Sequence, residues 1–201
     1  MTLQYKIVVS GPVGSGKTTA ISTLSDIPIV QTDARPTDEV ADLKNSTTVA
    51  MDYGTIHLGE GNKVHLYGTP GQERFDFMWQ IMIQGSIGLI LLINNDHPNP
   101  LGELEKFLEA FSEHIEQIPF CLGITHMDEN QRTTLHQYQK LLRDRECRVP
   151  LFSIDARSKA DMNLLVMAML SMIDPEILVD NFKGLDLSTS AHLRYTTRTG
   201  D

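Results

Sequence analysis

Short, almost uninterrupted apolar runs alternate along this chain with stretches whose apolar residues recur every three or four positions. Ile7-Val8-Val9, Ile87 to Ile93, Pro119 to Ile124 and Val149 to Ile154 are runs of the first kind. They predict strands buried on both faces. Leu101, Leu104, Leu108, Phe111 and Ile115 share one face of a helix over 101–118. Helices are also predicted over 17–25, 75–83, 131–146 and 159–173, and Pro28 closes off the first. Thr47 to Leu58 reads as a strand, Gly59-Glu60-Gly61-Asn62 as a hairpin turn and Lys63 to Tyr67 as the returning strand. Residues 31–46 are polar and predict an exposed loop. The alternation predicts a three-layer α/β fold: a mainly parallel six-stranded sheet, one strand antiparallel, with helices on both faces. It is organised as one domain over 1–175 and a C-terminal extension over 176–201, partly mobile.

Composition narrows the picture. The net charge of −9 excludes the basic footprint of a nucleic-acid binder and disfavours adhesion to anionic lipid. Cys121 and Cys147 form no Cys-x-x-Cys pattern, so neither a disulfide framework nor a zinc site is expected. No apolar run reaches membrane-spanning length, and neither a signal peptide nor a lipid anchor is recognisable. A soluble cytoplasmic protein is expected.

The chemistry sits at the carboxyl ends of the predicted strands, where open α/β sheets bind ligands. After Ile7-Val8-Val9 comes Gly11-Pro12-Val13-Gly14-Ser15-Gly16-Lys17-Thr18, the pattern Gly-x-x-x-x-Gly-Lys-[Ser/Thr]. Its glycines permit close approach of backbone N–H groups to phosphate, and the following helix adds its N-terminal donors. Lys17 reaches outer phosphates and Thr18 can ligate Mg2+. Gly68-Thr69-Pro70-Gly71-Gln72 follows the returning strand, Thr125-His126-Met127-Asp128 the next, and Asp155-Ala156-Arg157 the last.

This ordered set resembles the Ras-like small GTPases over about residues 5–173, hence a P-loop NTPase fold. The resemblance implies nucleotide binding by Gly11, Val13, Gly14, Ser15, Gly16, Lys17, Thr18 and Thr19. Thr48 looks like the switch I threonine, sensing γ-phosphate and Mg2+, with Thr47 a close competitor. Gly71 would meet the γ-phosphate through its N–H, and Gln72 would orient the attacking water, so Gln72, Lys17 and Thr48 form the catalytic set. Thr125, His126 and Asp128 match the guanine motif, and Asp155, Ala156 and Arg157 the last base motif, read through the Ala156 N–H.

The departures are specific. The aspartate that normally opens switch II and holds Mg2+ through water is here Gly68. Asp52, on the neighbouring strand, is the candidate replacement, giving Thr18, Thr48 and Asp52 as metal residues. This pattern is similar to the bacterial gliding-motility polarity GTPases and to Ras-like proteins encoded beside roadblock-type partners. Thr125, His126 and Asp155 stand for the usual asparagine, lysine and serine. Val13 would crowd an incoming arginine, and the position just before Thr48 is Thr47 and not arginine; Arg35 and Arg74 are substitutes, more simply read as solvated surface residues. A helix over 75–83 cannot bury Phe75, Phe77, Met78 and Trp79 together, so one or two are expected on a partner surface.

These readings converge on a GTP-binding switch that hydrolyses GTP to GDP with Mg2+. Regulators of roadblock type and an effector docking on the switch loops are its implied partners. A nucleotide-binding pseudo-GTPase and an ATP-using P-loop enzyme are the alternatives.

Overall fold

The centre of the molecule is β1, Gln4–Ser10, flanked on both sides by parallel partners. The computed structural model describes residues 2–33, 50–58, 61–127 and 133–173. Within them the sheet runs β2 (Val30–Asp33), β3 (Ala50–His57), β4 (Lys63–Gly68), β1, β5 (Gly88–Asn94), β6 (Phe120–Thr125), β7 (Leu151–Ser153). All neighbouring pairs are parallel except β2–β3 and β3–β4. The carboxyl ends of β1, β4, β5, β6 and β7 therefore share one edge, which gathers the predicted motifs.

Alternation of side chains divides the core in two. Ile7, Val9, Ile90 and Leu92 pack with α1 (Lys17–Leu24) and α6 (Lys159–Ile173) through Ile21, Leu24, Leu165 and Met169. Val8, Leu89, Leu91 and Ile93 face the other way, with Trp79 of α2 (Asp76–Ile83), Phe107 of α3 (Pro100–Ala110) and Tyr138 of α5 (Leu135–Asp144). The β5 run is continuous because each successive residue meets a different apolar layer. Asn99 starts α3 by accepting the Gly102 N–H at 3.1 Å, with Pro100 at the first helical position. Thr134 and Gln137 form a capping box on α5.

The structure corrects two expectations. Among the described residues the sheet has seven strands, not six, because residues 30–33, which overlap the start of the loop expected over 31–46, pair antiparallel with β3, Gln31 opposite Asp52. An edge strand carries one ladder and an open flank, so its sequence need not be apolar. The helix over 101–118 is instead α3 and a single turn, α4 (Ser112–Ile115), separated at Phe111. The Phe111 ring stays buried, so the apolar spacing runs straight through the break. Helix α6 lies where 159–173 placed it. Thr47, Thr48, Asp128, Gly59, Glu60 and the expected extension lie outside the described residues, as does Arg35.

Candidate functional site

Gly11, Gly14 and Gly16 have φ of 143°, 77° and 89°, conformations that an L side chain rarely adopts. At Gly11 a Cβ would also lie 2.0 Å from the Leu92 carbonyl oxygen, so the loop crosses β5 in direct contact. Left-handed Gly16 turns the chain into α1, whose N-terminus has no side-chain cap. Its free N–H donors therefore face the loop, a ready anion site. Lys17 is 9% exposed and donates to the Pro12 carbonyl at 2.7 Å. Burial lowers its pKa from 10.5 to about 8, against the opposing charge of Asp52. Thr18 and Thr19 are exposed beside it, and Val13 stands 64% exposed on the loop. The Ser15 hydroxyl is turned inward, fully buried, with no protein partner.

The Thr18 hydroxyl donates to Asp52 Oδ2 at 2.6 Å. Asp52 is paired directly with Gly68 across β3 and β4. A Cβ at position 68 would lie 2.8 Å from Ile21 Cδ1 and 3.0 Å from Asp52 Cβ. A side chain at 68 would thus compete with Asp52 for one space. The oxygens of Thr18 and Asp52 suit a hard cation that completes its shell with phosphate and water, so the residues present fit Mg2+. Among the described residues no group of three His, Cys, Asp or Glu is placed to hold a metal.

Gly71 lies across the phosphate loop. A Cβ there would be 2.7 Å from both Lys17 Nζ and the Val13 nitrogen. The segment is tied down on either side. Thr69 shares a 2.8 Å hydroxyl contact with Ser10 and donates its N–H to Val9, and the Trp79 indole donates to the Pro70 carbonyl at 2.7 Å. Gln72 is exposed and leads into a 3₁₀ turn, Glu73–Phe75, whose Glu73 pairs with Lys106 of α3.

Two of the segments expected to take the base, at Thr125-His126 and at Asp155-Ala156-Arg157, meet against the start of α1. A Cβ at Gly16 would be 3.1 Å from Ala156 Cβ and 3.9 Å from Thr125 Cγ2. The buried Thr125 hydroxyl lies 3.4 Å from the Ser15 carbonyl and 3.3 Å from the Ile93 carbonyl and can donate its one hydrogen to either, so it braces the loop rather than standing free. His126 adopts a left-handed φ of 57°, its Nδ1 3.0 Å from the Thr125 hydroxyl. Arg157 forks onto Asp155 at 2.8 and 2.9 Å and holds that carboxyl below the usual carboxylate range, with the His126 charge adding to the effect. The loop is locked from both helices beneath it. Asp155 donates its N–H to Asp161 at 2.9 Å, and Thr23 donates to the Ala156 carbonyl at 2.8 Å.

Sequence reasoning missed Thr23, Asp161, Ser10 and Lys106, which touch the site only through tertiary contacts. Trp79 carried one signal: a buried indole N–H needs an acceptor.

Glycine-lined loop, buried lysine and sheet edge define a P-loop nucleotide-binding protein of the α/β class. The chain belongs to the family described as conserved hypothetical ATP binding protein, whose model matches residues 28–191. That match begins beyond the phosphate loop, so the two indications are independent. Over 151 residues the chain is 30% identical to the intraflagellar transport protein 22 homolog of Danio rerio, covering 69% of this chain and 76% of that one. It is 28% identical over 123 residues to the Ras-related protein Rab-11B of Dictyostelium discoideum, 58% of this chain and 50% of that one. It is also 26% identical over 136 residues to an uncharacterised protein of Methanocaldococcus jannaschii, 67% of this chain and 78% of that one. These similarities support a Ras-like nucleotide-binding protein. No helix among the described residues is long and apolar enough to cross a membrane.

Proposed function

We propose that this protein is a cytoplasmic GTP-binding switch that slowly hydrolyses GTP to GDP and phosphate with Mg2+. The observation that carries the reading is Gly71 lying against Lys17, with exposed Gln72 next in the chain and Thr18 joined to Asp52. Lys17 and the loop amides would hold the phosphates; Thr18 and Asp52, with Thr48, would hold Mg2+. Gln72 would orient water for in-line attack, and catalysis would be positioning plus charge stabilisation. Unassisted turnover of about 10⁻⁴ to 10⁻² per second is expected. Thr125, His126, Asp128 and the Asp155–Arg157 loop would take the base. Phe77 and Ile81, 58% and 62% exposed on α2, support an effector surface, while Phe75 and Trp79 are core. A roadblock-type regulator, and a role in polarity, motility or surface signalling, follow from the resemblance.

Single-turnover hydrolysis tests the enzyme. Gln72→Ala should slow it at least tenfold while leaving GDP affinity unchanged. Equal rates in both proteins, whatever partner is added, would leave the pseudo-GTPase, which exposed Val13 favours. The family description favours ATP instead. Competition binding decides that point: GTP should outcompete ATP at least tenfold and lose its advantage in Asp128→Ala. Equal affinities unaffected by that change would overturn the guanine assignment.

A further inference from the structure

We infer that Trp79 is a positioning residue that aims the Gly71 N–H at the terminal phosphate; the inference rests on the switch reading above. Trp79 is 3% exposed and stacks on Phe107 of α3, ring centroids 4.3 Å apart. The indole is therefore fixed by the core, and its one polar atom, Nε1, donates to the Pro70 carbonyl at 2.7 Å. That carbonyl and the Gly71 N–H belong to the same peptide unit. A trans peptide is planar, with C=O and N–H pointing in opposite directions. Holding the oxygen towards α2 consequently aims the Gly71 N–H away from α2. Gly71 itself lies against Lys17 Nζ and the Pro12–Val13 backbone. The Thr69 hydroxyl and N–H fix the residue before Pro70 from β1. The peptide plane is clamped from both sides, and the donor is oriented by the protein's own packing.

This assigns the core residue a role that burial alone does not require. Phenylalanine would fill most of the same space and keep the stack on Phe107, but it has no N–H. The clamp matters only to a ligand that carries a phosphate at Gly71. A nucleoside diphosphate does not reach that donor; the triphosphate does.

The chain has a single tryptophan, so the N–H can be removed by one atom. Expression in a tryptophan auxotroph supplied with benzothienylalanine replaces Nε1 with sulfur and keeps the bicyclic ring. Trp79→Phe provides a second, genetically encoded removal. Both proteins are compared with wild type for affinity towards GDP and towards the non-hydrolysable analogue GppNHp, with Mg2+. The expected result is GDP affinity within twofold of wild type and GppNHp affinity reduced about fivefold to tenfold, the effect of one lost buried hydrogen bond. A purely structural role would lower both affinities together, or lower melting temperature alone. Wild type should also show one protected indole N–H resonance that shifts between the two nucleotides. If wild type discriminates the nucleotides and both altered proteins keep the same ratio, the clamp is overturned while the switch reading stands. If wild type does not respond to the third phosphate, both fall.

Discussion

Lys17→Met is expected to weaken nucleotide affinity about 100-fold or more and, at the same time, to stabilise the ligand-free protein. The first effect would follow from losing the two charge-assisted hydrogen bonds that Lys17 is proposed to make to phosphate, each about 1.5–3 kcal/mol. The second follows from burial. In the metal- and nucleotide-free protein the ammonium is desolvated, which lowers its pKa from 10.5 to about 8. At about 1.4 kcal/mol per pH unit, the charged form costs about 3 kcal/mol at pH 7. The bond to the Pro12 carbonyl returns about 1 kcal/mol, so a gain of about 2 kcal/mol is expected at pH 7. The pH dependence has a definite sign. Between pH 8 and 10.5 the unfolded chain holds a proton on Lys17 that the folded chain has released, so wild-type stability rises with pH there. Below about pH 8 both states are protonated and this group contributes no slope. The advantage of Lys17→Met should therefore be greatest at pH 7 and close towards pH 10. Calorimetry in EDTA at the two pH values measures it; an unchanged advantage at pH 10 would refute the assignment.

Asp52→Asn is expected to reduce nucleotide affinity in Mg2+ by about 10- to 100-fold and to leave affinity in EDTA nearly unchanged. The amide can still accept the Thr18 hydroxyl but no longer supplies charge to a cation. Gly68→Asp should not rescue the loss. Its Cβ would meet Ile21 as well as position 52, and such overpacking costs about 1–3 kcal/mol. Exchanging the residues, Asp52→Gly with Gly68→Asp, relieves the contact with position 52 and should recover part of the Mg2+ dependence. Isothermal titration with and without Mg2+ resolves the three proteins. Equal losses in Mg2+ and in EDTA would show that Asp52 serves the loop and not a metal.

The partnership of Asp52 and Gly68 was legible in the sequence because a hairpin turn connects their strands, and the structure pairs them in register. The phosphate loop was legible for a related reason: Gly11, Gly14 and Gly16 are local demands of the backbone. β5 announced itself because both of its faces are buried. β2 did not, since an exposed edge imposes no apolar pattern on Val30-Gln31-Thr32-Asp33. The break at Phe111 was hidden because its ring continues the helical stripe. The bracing residues were hidden for want of proximity: Thr23 and Ala156 are distant in sequence and meet only after α1 and α6 pack. Trp79 illustrates an intermediate case. The sequence left open which of Phe75, Phe77, Met78 and Trp79 would be buried, and the identity of the Trp79 acceptor depends on where the Pro70 carbonyl turns.

The division of the core by the sheet has a consequence for how the protein reads its ligand. The Asp155–Arg157 loop is fastened to the α1 and α6 layer, through Thr23 and Asp161. The Gly71 segment is fastened largely to the α2 and α3 layer, through Trp79 and Lys106. On the proposed function, the nucleoside and its third phosphate would thus be sensed by different sides of the molecule. They meet at the loop that leaves β1. On that proposal, substitutions in one layer would retune one discrimination while sparing the other, and a ligand that lacks either end would address only half of the protein.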